Sequence, residues 1–298
     1  MDQHSAIWDF AILGGDMRQN YLANYLNGMG HRVTCLWTPT FPSLSSSVRT
    51  CTSLTEAIGR HSIVVGPVPF SRDGITLNGD DDNILPLTVL YSLLDKNQIL
   101  FGGNFSPAVL TACFDQAVKC FDLMSSEAYV MTNALITAEG MVAEIINNTP
   151  FVLDDAPILI LGFGRCGNPL AGKLKALGCR VSVCEPDPEK RKNAVILGCS
   201  AFTPAELKNA LSINYFKIVV NTVPSPILDS ELIGRLSPDT FLFDLSSPPG
   251  GIDFETARKC LLPVFHCLGL PGKTAPRSAG EAIGKTILEL LERMYVHV

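Results

Sequence analysis

No apolar run in this 298-residue sequence approaches the roughly 18 consecutive residues that a membrane helix needs. The excess of basic residues that nucleic acid or an anionic membrane would demand is also missing. Lys and Arg number 23 against 29 Asp and Glu, a net charge of −6, so those two partner classes are set aside. Charged residues of either sign make up only 17%, against 47% hydrophobic ones, which excludes the balance of a disordered chain and leaves enough for a sizeable core. The opening Met1-Asp-Gln-His-Ser-Ala-Ile-Trp-Asp9 lacks a basic stretch followed by a long apolar one, so no export signal is expected. The ten cysteines contain no C-x-x-C pair, and no second pair joins His266 and Cys267, so no metal site is expected. Without an export signal the thiols are expected to be reduced, buried and cytoplasmic. There is no repeat of solenoid length and no low-complexity tract.

What is present is an alternation. Short β-branched runs at 9–14, 31–37, 62–65 and 98–101 alternate with helical patterns at 17–29, 54–59, 86–95 and 107–116. After a helix at 132–148 the style restarts, with strands at 158–161, 180–184, 217–221, 240–245 and 264–268 and helices at 168–177, 188–197, 204–211, 230–236 and 254–260. Alternation of this kind predicts α/β architecture: two Rossmann-like, doubly wound parallel-sheet domains. The boundary is expected near residue 150, with domain one at 1–149, the nucleotide domain at 150–277, and the 132–148 helix as the crossover. A last, long helix is expected from a Ser278–Glu281 capping box to about Tyr295, returning to the first domain.

Two strand-to-helix turns compete for a nucleotide. Gly162-Phe163-Gly164-Arg165-Cys166-Gly167 matches G-x-G-x-x-G, follows a strand, opens a helix, and is followed by a second strand ending in Glu185. Gly162 suits the tight turn, Gly164 lets backbone approach a pyrophosphate at the helix N-terminus, and Gly167 lets helix and strand pack closely. Glu185 is placed to accept from ribose hydroxyls, which favours NAD over NADP, although Lys190, Arg191 and Lys192 follow and could turn toward a 2′-phosphate. The other turn, Gly14-Gly15-Asp16-Met17-Arg18, lacks this spacing, and its second strand ends at Trp37 without an acid. It is read as an anion-side turn, with Arg18 suited to a carboxylate, or else as a turn with a solvated arginine.

Three later strand ends should line the same edge, because ligands of open α/β sheets sit outside the carboxyl ends of strands. Asn221-Thr222-Val223-Pro224, with Leu245 and Ser246, is expected at the nicotinamide half. Ser246 and Ser247 are candidate donors to a substrate oxygen, and Arg277 a candidate partner for a carboxylate.

These segments resemble a known family, the A subunits of dipicolinate synthase. The resemblance covers nearly the whole chain and rests on Gly14-Gly-Asp-Met-Arg-Gln19, Thr137-Ala-Glu-Gly140, Gly162 to Gly167, Asn221-Thr-Val-Pro224, Asp244-Leu-Ser-Ser-Pro-Pro-Gly-Gly-Ile-Asp-Phe254, Gly269-Leu-Pro-Gly272 and Ala275-Pro-Arg-Ser-Ala-Gly280. It implies oxidation of a dihydropyridine dicarboxylate, or of its hydroxylated tetrahydro precursor, to pyridine-2,6-dicarboxylate, with NAD or NADP taking the hydride. It further implies a flavoprotein-like second subunit, work in the mother cell of a sporulating bacterium, and a fold similar to formate and D-2-hydroxyacid dehydrogenases. Cys184-Glu-Pro-Asp187 departs from the family's Ala-Arg-Ser-type segment, which suits NADP, and His266 falls where the family is apolar, so it is not expected to be the catalytic base. The expected roles are a carboxylate each for Arg18 and Arg277, a base at Glu139 raised by burial, and a hydroxyl at Ser247. The alternatives are a non-catalytic NAD(P)-sensing or scaffold subunit and a D-2-hydroxyacid dehydrogenase-like enzyme. A homo-oligomer remains open.

Overall fold

The computed structural model describes residues 6–79 and 83–295. The chain divides into two compact units, 1–133 with 275–298, and 134–274. The dividing line falls inside a helix, α5 (Glu127–Asn148), whereas the sequence pattern put it after that helix near residue 150. A crossover helix that packs apolar residues at both ends leaves no break in the periodicity to mark such a division.

The first unit contains β1 (Asp9–Leu13), α1 (Met17–Gly28), β2 (Arg32–Leu36), β3 (Arg49–Cys51), α2 (Leu54–Gly59), β4 (Ile63–Val65), α3 (Leu87–Leu93), β5 (Ile99–Gly102), α4 (Pro107–Asp115) and β6 (Lys119–Asp122). Its six strands are all parallel, in the order β3-β2-β1-β4-β5-β6. Phe10, Ala11, Ile12 and Leu13 are fully buried because helices cover both faces of the sheet, which is why these strands read as continuous apolar runs. The last helix, α12 (Pro276–Tyr295), belongs to this unit and packs along α1. The contact is close: a Cβ on Gly280 would lie 2.6 Å from the Arg18 carbonyl oxygen, and one on Gly284 would lie 2.5 Å from Tyr25 Cδ1.

The second unit contains β7 (Pro157–Leu161), α6 (Gly167–Ala176), β8 (Arg180–Cys184), α7 (Pro188–Ile196), β9 (Ser200–Phe202), α8 (Pro204–Ile213), β10 (Ile218–Asn221), α9 (Ser230–Ile233), β11 (Phe241–Asp244), α10 (Phe254–Lys259), β12 (Val264–His266) and α11 (Leu270–Thr274). Its parallel order, β12-β11-β10-β7-β8-β9, repeats that of the first unit, with the chain reversing direction across the sheet between β7 and β10. That reversal opens a crevice at the strand ends, where such folds hold ligands.

Three short strands, β3, β6 and β9, are not announced by the sequence pattern. Two are three residues long, and all three are edge strands with a half-exposed burial pattern, so they carry no apolar run. The expected capping box at Ser278 is corrected. α12 begins at Pro276, ahead of that serine, and the Glu281 carboxylate accepts from Arg277 Nε at 2.9 Å. A capping box does form at α8, between Thr203 and Glu206.

Candidate nucleotide site and the neighbouring strand ends

The turn from β7 into α6 has the backbone its glycines dictate. Gly162 has φ +92°, a conformation that L side chains rarely adopt. A Cβ on Gly167 would lie 2.2 Å from the Gly162 carbonyl oxygen, so nothing larger fits there. A Cβ on Gly164 would meet nothing, so the loop is open on that side. Cys166 stands at the N-cap position of α6 without making a side-chain cap, and the first turn holds no acid. No carboxylate blocks this end, so the helix turns its positive dipole end to the open space over Gly164; Pro169 brings no N–H to the first turn, and the Asn168 N–H donates to the Gly164 carbonyl at 3.0 Å. Phe163 is buried in the core, Arg165 is exposed, and Cys166 is half-buried, with burial pushing its thiol up against the opposing charge of Arg165.

Glu185, at the end of β8, is buried and turned into this loop. Its Oε2 accepts from the Phe163 N–H at 2.7 Å and its Oε1 from the Asp187 N–H at 3.1 Å. Arg191 donates to the carbonyl oxygens of Glu185 and Pro186 at 2.8 and 2.6 Å, so one of the three basic residues of α7 is spent on the strand end.

At the ends of β10 and β11 a buried polar network replaces separate contacts. Asn221 and Asp244 are both fully buried. Asn221 Nδ2 donates to Asp244 Oδ1 at 2.8 Å, to the Val223 carbonyl at 3.0 Å and to Ser246 Oγ at 3.1 Å, and its Oδ1 accepts from the Val223 N–H at 3.1 Å. Asp244 also accepts from the Ser246 N–H and hydroxyl, at 2.8 and 2.5 Å, and from the Gly251 N–H at 2.8 Å. A buried carboxylate without a cation is tolerated because backbone and amide donors surround it. Sequence reasoning passes over Asp244, although an acid closing an otherwise apolar strand is a signal of such a brace. Thr222 donates to the Leu161 carbonyl at 2.9 Å and lies against Gly162. Leu245 is half-buried, Pro224 exposed and Ser246 buried, and Ser247 is exposed beyond them. The loop from Ser247 to Gly251 contains the cis peptide Pro248–Pro249. His266, which ends β12, places its Nε2 2.8 Å from the Ser246 carbonyl oxygen.

The residues expected to handle substrate are disposed differently. Asp16 caps α1 in the first unit, and its carboxylate accepts from Arg18 N, Nε and Nη2 at 3.1, 2.8 and 2.8 Å. The N-terminus of α1 is thus filled by the protein's own carboxylate, whereas that of α6 is open. Arg18 is buried and also donates to the Val68 carbonyl at 2.5 Å. Burial works against both charges, but mutual hydrogen bonding and attraction outweigh it, lowering the Asp16 carboxyl and raising the Arg18 guanidinium. Arg277 is exposed and paired with Glu281. Glu139 is exposed, with Lys173 Nζ 2.8 Å from its Oε1, so the expected burial is absent.

Residues 9–124 match the family model described as the N-terminal domain of the dipicolinate synthase A subunit. Over 194 residues the chain is 31% identical to the A subunit of dipicolinate synthase from Bacillus subtilis strain 168; the alignment covers 65% of this chain and 64% of that relative, a little under two thirds of its length. The crystal structure of the dipicolinate synthase A chain from Bacillus subtilis is similar at a TM-score of 0.85, with 22% identity and 99% of each chain covered. The apo structure of D-lactate dehydrogenase from Escherichia coli shares the fold more distantly, at a TM-score of 0.61 with 12% identity and 96% of each chain covered.

Proposed function

We propose, from the premise that the chain belongs to the family of dipicolinate synthase A subunits through residues 9–124, that it is an NAD(P)-dependent dehydrogenase. Its substrate in this reading is dihydrodipicolinate or 4-hydroxy-tetrahydrodipicolinate, and its product pyridine-2,6-dicarboxylate. The observation that carries the reading is the pairing of an uncapped α6 N-terminus over open Gly164 with the Glu185 carboxylate braced on the same loop.

The residues fit a dinucleotide. The N–H groups from Gly164 to Gly167 and the α6 dipole suit a pyrophosphate, since those of Gly162 and Phe163 already donate to Cys184 and Glu185, and Glu185 keeps lone pairs for an adenosine ribose. Thr222, Val223, Pro224, Leu245 and Ser246 border the nicotinamide half. A bound nicotinamide supplies the hydride acceptor. A carboxylate at position 185 disfavours a 2′-phosphate, so NAD is the expected cofactor. Ser247 supplies an exposed hydroxyl donor beside this half. Of Arg18 and Arg277, Arg277 is the candidate for a substrate carboxylate, because its exposed pair with Glu281 opens at little cost. Arg18 serves as the brace of Asp16.

The protein partner in this reading is a second, flavoprotein-like component of dipicolinate synthase, and the setting is the mother-cell cytoplasm of a sporulating bacterium. The test mixes the purified chain with enzymatically generated 4-hydroxy-tetrahydrodipicolinate and NAD or NADP, and follows absorbance. Dipicolinate and reduced cofactor rising together support the dehydrogenase. Tight nucleotide binding without turnover, unless the second component is added, supports a sensing or partner-dependent role instead.

A further inference from the structure

One titratable side chain at the carboxyl ends of the second unit's strands has no part in the nucleotide reading. His266 closes β12, and its ring is exposed. A carbonyl oxygen can only accept, so the 2.8 Å contact between Nε2 and the Ser246 carbonyl requires the proton on Nε2. In the neutral ring Nδ1 then carries the free lone pair. The ring is also held in place. The Phe254 ring lies 5.1 Å away centroid to centroid, and Ser246 is fixed by the buried Asp244 through both its N–H and its hydroxyl. Asp244 in turn faces His266 across the β11–β12 ladder. A buried carboxylate thus orients the imidazole through one backbone carbonyl, leaving Nδ1 as a proton acceptor.

The other groups that could act as base are less suited. Glu139 is exposed and paired with Lys173. Among the described residues the remaining histidines, His31 and His61, belong to the first unit and bond to the Trp8 N–H and the Ala57 carbonyl.

We propose that His266 Nδ1 is the base of the reaction, an inference that rests on the dehydrogenase reading above. Converting a dihydropyridine to a pyridine removes two ring hydrogens. One leaves with its bonding electron pair as hydride, which the oxidised nicotinamide accepts. The other leaves as a proton to Nδ1, and the electrons of its bond complete the aromatic ring. The resulting imidazolium returns the proton to water at its exposed edge. The substrate class is therefore a ring that can aromatise by losing hydride and proton.

The test uses the full chain and His266→Gln, whose side-chain amide N–H can still donate to the Ser246 carbonyl. The expected result is a fall in kcat of about 100-fold, the usual worth of a positioned base, with KM and NAD affinity unchanged and partial rescue by added imidazole. A second readout needs no turnover. Diethyl pyrocarbonate should acylate His266 in the free wild-type protein, and NAD with dipicolinate should protect it, as read by peptide mass. Wild-type kcat in His266→Gln, or labelling that the ligands leave unchanged, overturns the proposal. If the wild-type chain turns over no substrate even with the second component added, the dehydrogenase reading falls by itself. His266 is then judged by NAD protection alone, and its absence overturns the placement of the ring at the ligand.

Discussion

The Glu185 carboxylate accepts the Phe163 backbone N–H at 2.7 Å, tying the end of β8 to the middle of the glycine turn. The acid that would select the ribose therefore also shapes the loop that would hold the pyrophosphate. Glu185→Gln should weaken NAD binding by about tenfold or more, the worth of a charge-assisted hydrogen bond, and should narrow the preference for NAD over NADP. Calorimetric titration with both nucleotides checks this, and unchanged affinity for each would refute the double role.

Arg277 pairs with Glu281 one turn along an exposed helix face. Arg277→Ala should leave folding and NAD binding as they are and raise the KM for the dicarboxylate by about tenfold, the scale of one charged hydrogen bond. Steady-state kinetics at saturating NAD would decide; an unchanged KM removes Arg277 from substrate binding.

Asp244 gathers Asn221, Ser246 and Gly251 around one buried carboxylate. Asp244→Ala strands those donors in the interior, and should cost about 3 kcal/mol or more. Urea unfolding monitored by circular dichroism gives the figure. A loss below about 1 kcal/mol would mean that water replaces the carboxylate without penalty.

Asp16 titrates in the first unit. Its carboxyl is held below the ordinary value of 3.8 because the hydrogen bonds and charge of Arg18 outweigh burial. A folded-state pKa below the unfolded one gives stability that is present above the unfolded pKa and lost as pH falls through the folded one. The first unit should therefore weaken on acidification below about pH 5, and Asp16→Asn should flatten that part of the profile. Equal slopes for wild type and variant in denaturant titrations at several pH values would count against the pair.

Two glycines of different surroundings make a contrast. A Cβ on Gly280 would strike the Arg18 carbonyl oxygen at 2.6 Å, while one on Gly172 in α6 would meet nothing. Gly280→Ala should destabilise by about 2 kcal/mol through overpacking of α12 on α1, and Gly172→Ala should stabilise by about 0.8 kcal/mol through helix propensity. Thermal melts of the two variants should move in opposite directions.

Most of the fold is legible in the sequence because periodicity is local. β1 and β7 announce themselves as apolar runs followed by glycines, and α1 and α6 as helices starting directly after them. The edge strands β3, β6 and β9 are not legible, because a short strand paired on one side needs no apolar signature. The same limit holds at the site. The spacing of Gly162, Gly164 and Gly167 and the distance to Glu185 are sequence properties, because a tight turn, a close approach and a strand-end acid each demand one residue type. The state of each charged group is not such a property.

What the sequence determined by itself is the pair of α/β units and which of the two glycine turns carries the G-x-G-x-x-G spacing. Both follow from backbone sterics and apolar spacing along a few adjacent residues. What only the tertiary structure decided is where the charges go. Arg18 turns to Asp16, Glu139 to Lys173, Arg277 to Glu281, and Asp244 to Asn221 and Ser246, leaving His266 with one free nitrogen. A charge takes the partner that folding brings within about 3 Å, and that partner is set by how the elements pack and not by the order of residues alone.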